Sequence, residues 1–318
     1  MMQGIEIPSL SLIALAVTQA LIMLALAPVY TGISRVIRAK MHSRQGPGIW
    51  QDYRDLFKLL RRQDVAPHPS GIVFAIAPWV LIIAMLMIAM ALPAVTNHSP
   101  FPFAGDVITD IYLFAIFRFF FTLAGLDSGS MFASLGSSRE LTLGVLVEPT
   151  LMLSIFTVAL ITDTSDLGLI STTLASQSWA FPIATIVSGV ACAFVVFVEM
   201  GKLPFDIAEA EQELQEGPLT EYSGSSLGLM KIAFGLKQMV VVQLFLSIFV
   251  PFGKADHLGL LALLVAAFWL LVKLLVCFVL ASVIENAMAR VRYVKTHRLT
   301  WVGFGVAVAG FLLYLLGL

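Results

Sequence analysis

Eight apolar runs of about twenty residues dominate this chain, at roughly 9–30, 71–95, 107–126, 140–162, 179–200, 229–251, 258–283 and 299–318. Runs of that length match the hydrocarbon core of a bilayer. In lipid, backbone N–H and C=O groups are satisfied only within helices or closed barrels. The chain therefore reads as an all-α integral membrane protein, a single transmembrane domain over residues 1–318 with eight spans. Charged residues make up 12% of it, against about 25% in soluble domains. That deficit excludes a soluble enzyme, a nucleic-acid binder and a disordered scaffold. The N-terminal MMQGIEIPS has no positive charge, so the first run is expected to be retained and not cleaved as a signal.

The loops alternate in charge. Loop one carries Arg35, Arg38, Lys40, Arg44, Arg54, Lys58, Arg61 and Arg62, and loop seven carries Arg290, Arg292, Lys295 and Arg298. With Arg139 and Lys202 the odd-numbered loops hold 14 of the 19 basic residues, and the even-numbered loops hold Lys254 alone. The positive-inside rule then places the odd loops (about 31–70, 127–139, 201–228 and 284–298) in the cytoplasm and both termini in the periplasm. No inverted repeat of the transporter kind is evident.

Metal chemistry is poorly provided for. Cys192 and Cys277 lie far apart, no CxxC occurs, and all five histidines fall outside the apolar runs. An iron–sulfur cluster, a Cys-ligated metal and a haem held between spans are therefore not expected in this chain, and any redox metals belong to partners.

Two cytoplasmic loops stand out. In loop one, Gly46-Pro47-Gly48 is a turn, and the WQDYRDLFKLLRR that follows puts Trp50, Tyr53, Phe57 and Leu60 on one helical face. Such a helix lies on the membrane surface, docks a soluble partner, or does both. Loop five, EMGKLPFDIAEAEQELQEGPLTEYSG, is unusually acidic. As a helix it would align Asp206, Glu209, Glu213 and Glu216, with Glu211 pointing elsewhere, and like charges so spaced repel. The alternatives are a solvated acidic face, or an ordered helix that meets arginines of loops one and seven or lines a path for protons.

Charges inside the spans are the third signal: Asp110 and Arg118, Glu140 and Glu148, Glu199, Lys231 and Lys237, Lys273, and Glu285 at a span end. Ionisable groups at membrane depth usually face a bundle interior or a wet cavity. Structural ion pairs and connected proton sites are both open readings. Glu148 precedes Pro149, which frees a backbone carbonyl and often admits water.

At these residues the chain resembles a known family. Loop five closely resembles the signature loop of the membrane subunit of respiratory complex I that borders its quinone chamber. Arg44-Gln45-Gly46-Pro47, LDSGSMFASLGSSRELTLGVLVEP and NAMARVRY are similar to that family's other signatures, and the likeness runs over nearly the whole chain. The wording RQGPGIWQDYRDLFKLLRRQ is similar to the branch found in membrane-bound nickel–iron hydrogenases of the formate hydrogenlyase type. The resemblance implies a non-catalytic membrane anchor in the bacterial inner membrane. A soluble arm carrying nickel–iron and iron–sulfur centres would dock on it, namely hydrogenase large and small subunits and iron–sulfur proteins. Antiporter-like membrane subunits would flank it, and formate dehydrogenase is a further candidate partner. Whether quinone binds is left open.

The expected proton pathway comprises Glu140, Glu148, Glu199, Asp206, Glu209, Glu211, Glu213, Glu216 and Lys237. The expected docking residues are Arg35, Arg38, Arg44, Gly46, Pro47, Arg61, Arg62, Arg290 and Arg292. Competing readings are the quinone-binding subunit of complex I itself and a stand-alone ion transporter.

Overall fold

The computed structural model describes residues 10–68, 70–101, 104–176, 181–207, 211–255, 257, 259–291 and 293–317, with backbone alone at 211, 212, 293 and 294. Among these the fold is helical: α1 (Leu10–Met41), α2 (Gln51–Leu60), α3 (Ile72–Ala91), α4 (Val107–Asp127), α5 (Met131–Ile161), α6 (Leu167–Ala175), α7 (Pro182–Glu199), α8 (Glu211–Leu214), α9 (Gly224–Phe249), α10 (Leu260–Ala287) and α11 (Tyr293–Leu315). Eight of them are long and apolar enough to cross a membrane.

Two spans run past their apolar cores. α1 continues to Met41, through residues expected to open loop one, and α5 begins at Met131, so loop three shrinks to residues 128–130. Arg139 and Glu140 therefore lie within a helix and not at a loop end. Hydropathy stops counting at the first charged residues, whereas the helix continues wherever those side chains find partners.

α9 is the hub. Of its most apolar stretch 72% is buried, against 22% for α10 and for the last span. A helix apolar on all sides belongs inside a bundle. It packs against α1, α3 and α7, while α11 lies against α5 and α7. Polar contacts pin the bundle where backbone groups are exposed by helix ends. Gln19 Nε2 donates to the Ala89 and Leu92 carbonyls at the end of α3 (2.7 and 2.8 Å). Asp127 accepts the Phe74 N–H at the start of α3 (2.9 Å). Tyr222 stacks on Phe74 with ring centroids 4.0 Å apart and donates its hydroxyl to the Phe74 carbonyl.

Loops one, three, five and seven gather at one end of the bundle. Val65 of loop one meets Ser223 of loop five (2.8 Å), and Arg290 of loop seven pairs with Asp206 of loop five (2.9 Å). Loop five turns back at Gly201, whose positive φ of 63° ends α7 in the left-handed conformation that glycine adopts without strain. Loop one comes so close to α1 that a β-carbon on Gly32 would sit 2.2 Å from the Ile49 carbonyl oxygen. At the opposite end, residues 105–107 pair with 165–167, through Val107 N–H to the Ser165 carbonyl and Leu167 N–H to the Gly105 carbonyl.

Candidate functional site: a buried charge cluster beneath a polar chamber

Arg118 is the centre of the site. It sits on the buried face of α4, and its three guanidinium nitrogens each take a different carboxylate. Nε meets Glu140 of α5 at 3.3 Å, Nη1 meets Glu148 of α5, and Nη2 meets Glu199 at the end of α7. Glu199 turns its other oxygen to Lys237 of α9, 2.9 Å away. Lys237 also stands 5.3 Å above the Phe117 ring, within cation–π range. The guanidinium fork makes this possible, because one planar group presents five donors in several directions.

Three carboxylates and two cations leave the ionised cluster one negative charge in excess. One added proton would neutralise it. Of the three carboxylates Glu148 has the most exposed side chain, 33% against 12% for Glu140 and 7% for Glu199. Gly144 makes room for the arrangement; a β-carbon there would lie 2.5 Å from Arg118 Cδ.

Two cavities lead to the cluster. The inner one, about 80 Å³, is bordered by Arg118, Glu140, Glu199 and Lys237. The outer chamber, about 380 Å³, lies between α1, α2, loop five, α9 and α10. Gly201, Asp206, Phe234 and Gln238 line both, so the chamber and the cluster share a wall. Several of the chamber's charges are also paired. Arg35 binds Asp52 (2.7 Å), which accepts the Thr31 hydroxyl (2.7 Å). Glu285 holds Arg38 and Lys202, both at 3.3 Å. Lys202 donates to Ser34 at 2.5 Å. Burial pushes the Lys202 ammonium below its ordinary pKa, an effect that Glu285 opposes. Among the described residues no group of three or more His, Cys, Asp or Glu is arranged to hold a metal ion.

The single acidic helix expected for loop five does not form. α8 is four residues long, and Gln215 and Glu216 adopt positive φ (50° and 70°), so Asp206, Glu213 and Glu216 share no helical face. Separating these like charges lets two of them find cations of their own. Asp206 pairs with Arg290 as expected from loop seven, but Glu213 pairs with Arg139 of α5 (2.7 Å), which lies in neither expected loop. Glu216 lines the chamber. Glu209 and Arg292 lie outside the described residues, as does the side chain of Glu211.

Arg35 and Arg38, expected at a docking surface, line the chamber and pair within the chain while their side chains stay about half-exposed. Arg44, Gly46, Pro47, Arg61 and Arg62 are exposed at the loop-five end. Trp50 and Phe57 expose 63% and 60% of their surface, so the apolar face of α2 is open to an external partner or lipid. Arg118, Lys202, Asp52, Gln238 and Glu285 are not among the expected site residues. A sequence signal exists for Arg118, which is the one arginine inside an apolar run, and its placement eight and more residues from any other acid or base hides its partners.

This construction has known relatives. A family model described as NADH dehydrogenase matches residues 13–315. The chain belongs to the NADH dehydrogenase family. Within the family it is 31% identical to a subunit of the NADH-quinone oxidoreductase of Rickettsia africae, covering 93% of this chain and 90% of that one. It is 56% identical to hydrogenase-4 component C of Escherichia coli K12, over 96% of this chain and 97% of that protein. It is 50% identical to formate hydrogenlyase subunit 4 of the same organism, over 92% and 95%. The family fold recurs in a chain of the membrane-bound sulfane sulfur reductase, an archaeal respiratory membrane complex, with a TM-score of 0.83 at 23% identity over 95% of this chain and 99% of that one.

Proposed function

We propose that this family member is the membrane anchor of a multisubunit nickel–iron hydrogenase complex of the formate hydrogenlyase type, and that it couples electron transfer in a docked soluble arm to proton movement. The relatives at 56% and 50% identity are named as hydrogenase-4 and formate hydrogenlyase components and align almost end to end. The observation that carries the coupling is the shared wall between the chamber and the Arg118 cluster. A charge change near the chamber has a short polar way to a cluster that one proton neutralises.

In this reading the loop-five end is cytoplasmic, both termini are periplasmic, and the chain resides in a bacterial inner membrane, as the basic odd-numbered loops favour. Residues 1–318 act as one domain. Nickel–iron and iron–sulfur centres belong to the large and small subunits and iron–sulfur proteins that dock over Arg44, Gly46, Pro47, Arg61 and Arg62. Antiporter-like subunits lie against the exposed apolar faces of α10 and α11 in the plane of the lipid, and formate dehydrogenase joins through the arm. This chain holds the arm, and its own groups carry protons, with Glu148 as the loading site.

Purification through a tag on this chain tests the assembly. Mass spectrometry of the intact complex is expected to find a nickel–iron large subunit. Recovery of this chain alone would point to a transporter, and a quinone-reductase set would point to complex I. The coupling is tested with Glu148→Gln in sealed vesicles, where proton movement is expected to fall while hydrogen turnover and assembly persist. Unchanged proton movement would reject Glu148 as a carrier.

A further inference from the structure

Asp110 is the most isolated charge-bearing group in the described structure. It lies on α4, 1% exposed, and neither carboxyl oxygen meets a hydrogen-bond or ion-pair partner among the described residues. An ionised carboxylate so placed would carry its full desolvation cost with nothing to offset it, so the group is stable there as the neutral acid. Even the neutral acid leaves polar atoms unsatisfied, which an apolar residue of similar size would avoid. Packing alone gives no reason for an aspartate at this position. Intramembrane acids without a structural partner mark sites of function.

Its position suggests which function. Asp110 is eight residues from Arg118 on the same buried face of α4, about 12 Å along the axis and away from the loop-five end. A void of about 10 Å³, at the lower limit for one water, adjoins the cluster and reaches Ile111 and Phe114 but not Asp110 itself. Arg118 and Glu148 border the void on one side, and Ile111 and Phe114, the next residue and the next turn from Asp110, border it on another. On its other side Asp110 has Asp106 one turn away. Asp106 is half-buried and closes the backbone pairing between residues 105–107 and 165–167 at the end of the bundle opposite loop five. A half-buried carboxyl near the end of the bundle, a buried carboxyl one turn in, and an apolar stretch before the cluster thus follow one another along α4, away from the chamber.

We propose that Asp110 is an exchangeable proton site that links the Arg118–Glu148 cluster to the membrane face opposite loop five, with Phe114 as the apolar barrier between the two halves. This rests on the proton-coupling reading given above and extends it to the far half of the bundle. In each transfer Asp110 releases one H⁺ to water at the Asp106 end and receives one from the Glu148 side when water passes the Ile111–Phe114 stretch. Only O–H bonds break and form, no electrons move, and Asp110 returns to the neutral acid.

Infrared difference spectroscopy on the purified complex tests this without reference to transport. The protonated-carboxyl C=O band present in wild type and lost in Asp110→Asn is expected to shift on transfer to D₂O under native conditions, and to move but persist in Asp110→Glu. A spectrum with no such band, or a band that does not exchange, overturns the proposal even if the complex moves protons. In sealed vesicles Asp110→Asn is expected to lose proton movement, with hydrogen turnover retained, and Asp110→Glu to restore it. Wild-type proton movement in Asp110→Asn overturns the proposal. If Glu148→Gln blocks movement while Asp110→Asn does not, the coupling reading stands and this extension falls. Should Asp110→Asn fail to assemble, the exchange of the band in Asp110→Glu against wild type decides the matter.

Discussion

At Arg118 a single guanidinium organises three carboxylates from two helices, and removing it would strand them beside one remaining cation. Breaking a buried network by deleting one partner costs about 3–5 kcal/mol. Arg118→Met is expected to lower the thermal midpoint of the detergent-solubilised protein accordingly, and Arg118→Lys to recover only part of it, because an ammonium cannot span three acids as a planar fork does. A wild-type midpoint in Arg118→Met would show that the cluster contributes nothing to stability. The loop-five pairs form a graded comparison. Glu213 is 53% exposed beside Arg139, and exposed pairs contribute less than about 1 kcal/mol, so Glu213→Gln is expected to be nearly silent. Asp206 is 20% exposed, pairs with Arg290 and walls both cavities, so Asp206→Asn is expected to disturb stability and coupling together. Equal effects of the two substitutions in thermal melts would contradict this ordering.

Among the elements, the junction of α1 with loop one is sterically demanding. A methyl group at Gly32 would overlap the Ile49 carbonyl, which is backbone and cannot rotate away. α2 begins two residues later and contributes Asp52, Asp55 and Leu56 to the chamber wall. Gly32→Ala is therefore expected to push loop one and α2 off α1 at about 1–3 kcal/mol, the usual cost of overpacking. Limited proteolysis within residues 42–68 should accelerate, and less of the soluble arm should co-purify, while the spans stay intact. Unchanged cleavage would mean that the junction relaxes without moving α2. α10 and α11 present the opposite situation, with Leu260, Leu261 and Val302 exposed and little of either helix covered by this chain. Their faces are shaped by what surrounds the molecule and not by its own core.

Across the whole molecule each end of the bundle holds a lysine whose pKa burial lowers, Lys202 at the loop-five end and Lys254 at the other. At the end opposite loop five, Lys254 donates to Ser171 (2.6 Å) and to the Ser247 carbonyl (3.2 Å). Burial, and then the charge of Lys273, push its pKa down to about 7 from 10.5. Below about pH 7 both folded and unfolded chains carry this charge, and the cost of burying it is fully present. Between 7 and 10.5 the folded chain has released a proton that the unfolded chain still holds, so this group makes the fold more stable as pH rises through that window. The melting midpoint of wild type relative to Lys254→Met is expected to climb over that range. A constant difference would show that Lys254 stays protonated in the fold.

The apolar runs by themselves determined eight helices long and apolar enough to cross a membrane, because a helix in lipid must satisfy its own backbone hydrogen bonds and its length can be read from hydropathy alone. Local pattern also sufficed for α2, whose aromatic spacing and charges are properties of one short segment, and the loop signatures sufficed for the family. The same reasoning extended loop five into one helix and missed the in-chain partners of Arg35 and Arg38, since helical periodicity does not register a left-handed turn at Glu216 or an acid such as Asp52 waiting 17 residues away. Only the tertiary structure decided which charges meet. Arg118 finds partners 22, 30 and 81 residues along the chain. Such pairings depend on the rotation and depth of four helices against one another, and each helix gains nearly the same hydrophobic free energy over many rotations. The choice among those rotations is made largely by burying charges with partners, as at Arg118, Glu199 and Lys237. Asp110, left without one, is the residue where that rule gives way.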